Sequence, residues 1–99
     1  MSGHQKMVGP VIRGADADLA DAVIEAIEAD NPGAEVEVED AGGYIRIGVA
    51  QRCLLTRASL EEALGHSFEL PKLEPSLAAF AGRMKATDDE MLWYLERQD

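Results

Sequence analysis

Two histidines, one cysteine, four serines and nineteen carboxylates are the side chains of this 99-residue chain best suited to chemistry. A zinc or iron site needs ligands recurring at short, fixed spacings. Neither His4 nor His66 has a second histidine, a cysteine or a carboxylate so placed. Glu62 and His66 stand four apart with the helix-breaking Gly65 between them, which is not the Glu-x-x-His pairing of di-iron bundles. Nucleophilic catalysis needs an activating base beside the nucleophile. Ser59 is better used as a helix cap, Ser2 lies near the amino terminus, and Ser67 and Ser76 lack a G-x-S-x-G setting. Gly42-Gly43 is a turn with no G-x-x-x-x-G-K-[ST] around it, and no dinucleotide fingerprint exists. Asp88, Asp89 and Glu90 form an acidic turn, whereas acid–base catalysis needs a carboxyl held in an apolar cleft. Cys53, the lone cysteine, opens an apolar run and reads as a small buried hydrophobe. The inventory points away from an enzyme, and from a metal or cofactor, toward an interaction module.

Charge narrows the partner. Nine basic against nineteen acidic residues give a net charge of −10. Phosphate backbones and anionic membrane surfaces would repel such a chain, so no nucleic acid and no membrane partner is expected. Ten of the nineteen acids fall between Arg13 and Arg46, with no Lys or Arg among them. That run is either a solvated face or a docking surface for a cationic partner. Met1–Met7 is polar with no apolar run after it, and no stretch approaches the roughly 20 apolar residues of a membrane span. A cytoplasmic protein is expected, with residues 1–7 a flexible tail and 8–99 one domain.

The elements that must position any site follow from periodicity. Val8-Gly-Pro-Val-Ile-Arg13 is a short strand, which Pro10 should confine to a sheet edge or start. Ala15–Ala29 carries Leu19, Val23, Ile24 and Ile27 on one stripe, with Asp16 or Asp18 as cap and Asn31-Pro32-Gly33 as stop. Glu35–Glu39 and Tyr44–Val49 alternate around Asp40-Ala-Gly-Gly43 and predict a β-hairpin with half-buried strands. Cys53–Thr56 is another strand. Ser59 and Glu62 form a capping box for a helix ended by Gly65. Lys72–Leu77 is a helical turn bounded by prolines. Beyond Thr87 and Glu90, a second capping-box pair, Met91–Leu95 suits helix or strand. The order predicts an α+β sandwich with helices packed on antiparallel sheet.

Six segments occurring in order resemble the effector (regulatory, or coupling) proteins of bacterial multicomponent di-iron monooxygenases, of the toluene 4-monooxygenase and toluene/o-xylene monooxygenase type. They are Val8-Gly-Pro-Val-Ile-Arg13, Asp30-Asn-Pro-Gly33, Val38-Glu-Asp with Tyr44-Ile-Arg-Ile47, Leu55-Thr-Arg57, Leu60-Glu-Glu-Ala-Leu-Gly65 and Leu73-Glu-Pro-Ser-Leu-Ala-Ala-Phe-Ala-Gly82. The resemblance implies a compact βαββ–βαββ fold with about three short helices and no metal, flavin or cluster. It makes Met91–Arg97 a strand pairing with Ala79–Lys85. It implies a non-catalytic subunit that binds the hydroxylase subunit housing the di-iron centre, alongside ferredoxin and reductase components, and tunes turnover, coupling and regiospecificity.

The same resemblance places the hydroxylase contact on Ser76, Leu77, Ala78, Ala79, Phe80, Ala81 and Gly82. Small residues there let backbones approach, and one aromatic can anchor in a pocket. Ala78, Ala79 and Phe80 replace hydroxyl side chains of more distant relatives. Asn31, Pro32 and Gly33 form a second candidate patch, followed by Arg13, Arg83 and the Val8–Pro10 entry. The rival readings are an acidic adaptor or inhibitor of a basic protein, and a small enzyme with a Glu or His base.

Overall fold

The computed structural model describes residues 6–95, in two antiparallel sheets that enclose one core with two α-helices. The elements run β1 (Met7–Arg13), α1 (Ala17–Asp30), β2 (Val36–Asp40), β3 (Tyr44–Ala50), β4 (Arg52–Thr56), α2 (Arg57–Leu64), β5 (Leu77–Ala81), β6 (Arg83–Ala86) and β7 (Glu90–Tyr94). Short 3-10 turns at Gly14–Asp16 and Leu70–Ser76 precede α1 and β5. The larger sheet has the order β2-β3-β1-β5 and the smaller β4-β7-β6. The predicted α+β class is present, and the predicted βαββ–βαββ order gains one strand, because three strands rather than two follow α2.

The core takes one face of each sheet. Val8, Ile12, Ile47 and Val49 come from the larger sheet, and Cys53, Leu55, Met91 and Trp93 from the smaller. Val23, Ala26 and Ile27 of α1, Leu60 of α2, and Leu70 and Leu73 of the second 3-10 turn close it. Burying each large side chain of this kind contributes about 1.5–3 kcal/mol.

Several local expectations change. β1 begins at Met7, one residue inside the expected tail, and residues 1–5 lie outside the described range. It is not an edge: it sits between β3 and β5 with Pro10 at its middle. The ladder to β3 runs through Met7↔Ala50 and Val8↔Val49 and resumes at Val11↔Arg46, so the missing N–H of Pro10 falls in the interruption. Gly9, at φ +150°, shapes the same break.

The cap of α2 is Thr56, whose hydroxyl accepts from the Ser59 N–H at 3.2 Å, three residues ahead of the predicted box. Ser59 instead donates to Asp30 at 2.6 Å. Asp16 holds the N-cap position of α1 without a side-chain cap bond. Thr87 caps a turn, not a helix: its hydroxyl accepts from the N–H groups of Asp89 and Glu90 between β6 and β7.

The final segment is a strand over Glu90–Tyr94, while Glu96 and Arg97 lie outside the described residues. Its partners are β6 and β4. Of the expected pairing with Ala79–Lys85, the Arg83–Lys85 part occurs and the Ala79–Ala81 part does not, because those residues pair with β1 in the other sheet. Gly82 makes the crossing between sheets at φ +93°, where a side chain would meet Val8 Cγ1 at 2.6 Å and the Tyr94 carbonyl oxygen at 2.9 Å.

Burial decides the chemistry of Cys53. Its thiol is pushed up to about 12, first by burial and then by the negative charge of Asp30. At pH 8 it stays protonated and is expected to resist iodoacetamide until the chain unfolds; prompt alkylation of the native protein, followed by mass spectrometry, would contradict this. The folded state holds this proton more tightly than the unfolded chain. The corresponding stability is therefore complete below about pH 9 and is lost as the pH rises toward 12.

Candidate functional site

Alternation along the larger sheet defines its second face. With Val8, Ile12, Ile47 and Val49 turned to the core, Met7, Gly9, Val11, Arg46 and Gly48 face outward. The register adds Glu37 opposite Gly48, Glu39 opposite Arg46, Ala79 opposite Val11 and Ala81 opposite Gly9. This outward set lines a groove of about 850 Å³ running between the two edge strands, β2 and β5. Its floor is low because Gly9, Gly48, Ala79 and Ala81 have little or no side chain. Of the large hydrophobic side chains found exposed among the described residues, Tyr44 lies on this outward face, whereas Val38 and Phe80 pair with the core-facing Ile47 and Pro10 and border the groove from the two edge strands.

The groove is apolar along β5 and acidic along β2. β5 carries no charged residue, whereas Glu37 and Glu39 stand exposed on the opposite wall. Arg46 Nε lies 3.7 Å from Glu39 Oε1, with both side chains well solvated, so this pair neutralises little of the wall's potential.

Of the residues expected at the contact, Ala78, Ala79, Phe80 and Ala81 form one exposed strand along the groove. Phe80 pairs with Pro10, which puts it on the core side of an edge strand, yet 43% of it remains exposed. Ser76 and Leu77 are half-buried where the 3-10 turn enters β5, and Gly82 and Arg83 are exposed where the chain leaves for the other sheet. Arg13 stands at the Ser76 end, where its Nε donates to the Pro75 carbonyl at 3.3 Å.

The Asn31–Gly33 patch is separate. Pro32 and Gly33 are exposed, but Asn31 is buried and its side chain is engaged internally. Asn31 Nδ2 donates to the carbonyls of Ile27 at 2.7 Å and Leu54 at 2.9 Å, and its Oδ1 accepts from the Leu54 N–H at 3.1 Å. Beside it, Asp30 accepts from the Thr56 N–H at 2.7 Å and from the Thr56 and Ser59 hydroxyls. This latch was not foreseen, since its partners lie 23 to 29 residues away along the chain. The groove residues Met7, Glu37, Val38, Glu39, Tyr44, Arg46 and Gly48 were also missed. The signal available was the odd-numbered and even-numbered alternation of β1 and β3, which defines an outer face but not how far neighbouring strands leave it uncovered.

His66 lies outside the groove's lining, and its Nδ1 is 2.9 Å from the adjacent Ser67 carbonyl. The geometry therefore offers a recognition surface built from sheet, with a low floor of small residues, the exposed ring of Tyr44 and carboxylates on one side.

Comparison with known proteins gives this surface a context. The effector subunit of an alkene monooxygenase system from Xanthobacter autotrophicus (strain ATCC BAA-1158 / Py2) is 54% identical over 90 residues, covering 91% of this chain and 87% of that protein. A chain from a structure of the phenol hydroxylase–regulatory protein complex superposes with a TM-score of 0.76, at 24% identity over 92% of this chain and 100% of that one, and bears on the fold alone. A second chain from a structure of such a complex gives a TM-score of 0.70 at 26% identity, covering 90% and 99% respectively. The model of the MmoB/DmpM family matches residues 6–94, nearly every described residue, and the chain belongs to that family.

Proposed function

We propose that this chain is the non-catalytic effector of a multicomponent monooxygenase. It binds the di-iron hydroxylase component and modulates its active-site conformation, turnover, coupling and regiospecificity. The observation that carries this reading is the 54% identity to an alkene monooxygenase effector subunit across most of both chains. The substrate class that fits is a small alkene or aromatic hydrocarbon, with toluene-type systems included. Residues 8–99 act as one effector domain in the cytoplasm, working beside ferredoxin and reductase. No helix among the described residues is long and apolar enough to cross a membrane.

The physics of such an effector is differential binding. It can move the hydroxylase between two arrangements only by the difference in its affinity for them, about 1.4 kcal/mol for each tenfold ratio. The contact is assigned to Ser76–Gly82, flanked by Arg13 and Arg83, with Pro32 and Gly33 as the accessible part of the second patch. A rigid edge strand with an exposed aromatic suits this role, because little entropy is lost in ordering it.

The test is a titration of this chain into a reconstituted hydroxylase, reductase and ferredoxin system. Hydroxylation rate and product formed per NADH should rise and saturate near one effector per active site. A cognate hydroxylase that responds to its own effector and ignores this chain would leave the acidic adaptor as the better reading. In the same assay Phe80→Ala should raise the half-saturating concentration about tenfold, a typical aromatic hot-spot effect. Its melting temperature should fall by only a few degrees, given that nearly half the ring is already exposed. Loss of activation only in step with unfolding would return Phe80 to the core.

A further inference from the structure

We infer that the outer face of the smaller sheet is a docking surface for an acidic electron carrier, the ferredoxin of the same system. This rests on the effector reading and adds a second direct partner to it. Cys53, Leu55, Met91 and Trp93 turn to the core, so Arg52, Leu54, Leu92 and Tyr94 turn outward. The register sets Arg52 and Arg83 on either side of Tyr94, and Leu54 and Lys85 on either side of Leu92. Lys85 Nζ lies 5.5 Å from the centroid of the Tyr94 ring. Leu54, Leu92 and Tyr94 are half-buried, and the three cations around them are exposed. The face therefore has an apolar centre and a basic rim, and it holds the Arg and Tyr side chains that most often carry binding energy.

The charge of this face runs against that of the molecule. A chain of net charge −10 places three of its nine Lys and Arg residues here. Internal pairing does not account for them. The ion pairs among the described residues join Arg46 to Glu39 and Arg57 to Glu61, and neither Arg52 nor Lys85 takes part in one. Asp88, Asp89 and Glu90 lie at the far end of the sheet, which gives the face a direction. The matching partner is a carboxylate-rich protein surface with an apolar centre. Nucleic acid fits badly, because three cations do not offset the net negative charge of the whole chain. A second copy would bring another net charge of −10 against the first. Size narrows the partner further. Three short strands give a face of roughly 10 by 13 Å, far below the ~800 Å² that each partner of a stable complex buries. That suits a brief, salt-sensitive encounter. A carrier that brings electrons from the reductase to the hydroxylase must bind and leave at every turnover.

The experiment titrates the isotope-labelled whole chain with the purified ferredoxin of the reconstituted system and follows backbone amide shifts by NMR. At low salt the amides of β4, β6 and β7 are expected to move more than those of β1, β2 and β3. Salt at about 0.5 M should abolish the shifts. Arg52→Glu and Lys85→Glu should each raise the Kd at least about fivefold, whereas Lys72→Glu, the same charge change on an exposed residue outside the face, should raise it less than about twofold. Melting curves establish that all three variants fold. Equal effects of the three would assign the shifts to a general field and overturn the inference. Shifts confined to the larger sheet, or no shifts at all, would also overturn it. So would binding of the reductase alone to this face, or shifts that grow with the concentration of the chain by itself, which would make the occupant a second copy. If the wild-type chain activates the hydroxylase but the ferredoxin leaves this face untouched, only the second docking surface is lost. If the wild-type chain does not activate, the effector reading itself falls.

Discussion

Gly9→Ala is expected to lower stability by more than about 3 kcal/mol, enough to leave the chain largely unfolded if it is an ordinary domain of its size. A Cβ at this position would lie 2.2 Å from the Ile47 carbonyl oxygen and 3.1 Å from its carbon. Those are backbone atoms of the neighbouring strand, so no side-chain rotation relieves the overlap. The φ of +150° adds strain that any L side chain would feel. Relief would require β1 and β3 to separate, and β1 is central, holding β3 on one side and β5 on the other. Gly33→Ala is the control. Gly33 has φ +82° but no atom within 4 Å of a built Cβ, so only the conformational cost remains, about 1 kcal/mol. Urea unfolding followed through the single, fully buried Trp93 measures both. A Gly9 variant within 1 kcal/mol of the parent would mean that the close approach of β1 to β3 is not a feature of the protein in solution.

The second large effect concerns the latch at the end of α1. β4 pairs with β7 along one edge only. Along its other edge no strand follows. The Asn31 side chain meets the N–H and C=O of Leu54, and the Asp30 carboxylate meets the N–H of Thr56. Two adjacent side chains thus stand in for a strand and join α1 to the smaller sheet. Asn31→Ala removes three hydrogen bonds and takes from the part-buried N–H and C=O of Leu54 their Asn31 partner, while the Ile27 carbonyl keeps the Asn31 backbone N–H, for an expected cost of about 2–3 kcal/mol.

Asn31→Asp sharpens the point. The new carboxyl could still accept from Leu54, but once ionised it would face the Ile27 and Leu54 carbonyls with no proton to donate. Its neutral form is therefore favoured in the folded state, and its folded pKa lies above the unfolded value of about 4. The variant should approach parental stability near pH 4 and lose stability as the pH rises above it. Denaturation midpoints of parent and variant between pH 4 and 8 report the sign directly. A gap that stays constant with pH would mean that the side chain does not donate to those carbonyls.

How much of this was legible in advance depended on the range of the interaction. The apolar stripe of α1, the alternating hairpin of β2 and β3, the stop at Gly65 and the buried character of Cys53 are local patterns, and the folded chain keeps all of them. The charge of −10 and the absence of ligand spacings narrowed the function to protein recognition. Ordered segments along the chain pointed to the family and decided that the end of the domain is a strand, where propensity alone was divided.

What the tertiary structure decided is non-local. Leu77–Ala86 reads as one continuous apolar-to-amphipathic segment, yet Gly82 divides it between two sheets, because only a glycine fits between Val8 and the Tyr94 carbonyl. Pro10 signals an edge, yet its strand is central, because the break in pairing at Gly9 absorbs the missing donor. Val38 alternates like a core residue and is 47% exposed, because β2 is an edge that the core does not reach. The groove joins β5 to β2 across two intervening strands, and the latch joins α1 to β4. Neither has a period, since contacts between distant segments are set by how the sheets pack rather than by any repeat within a segment.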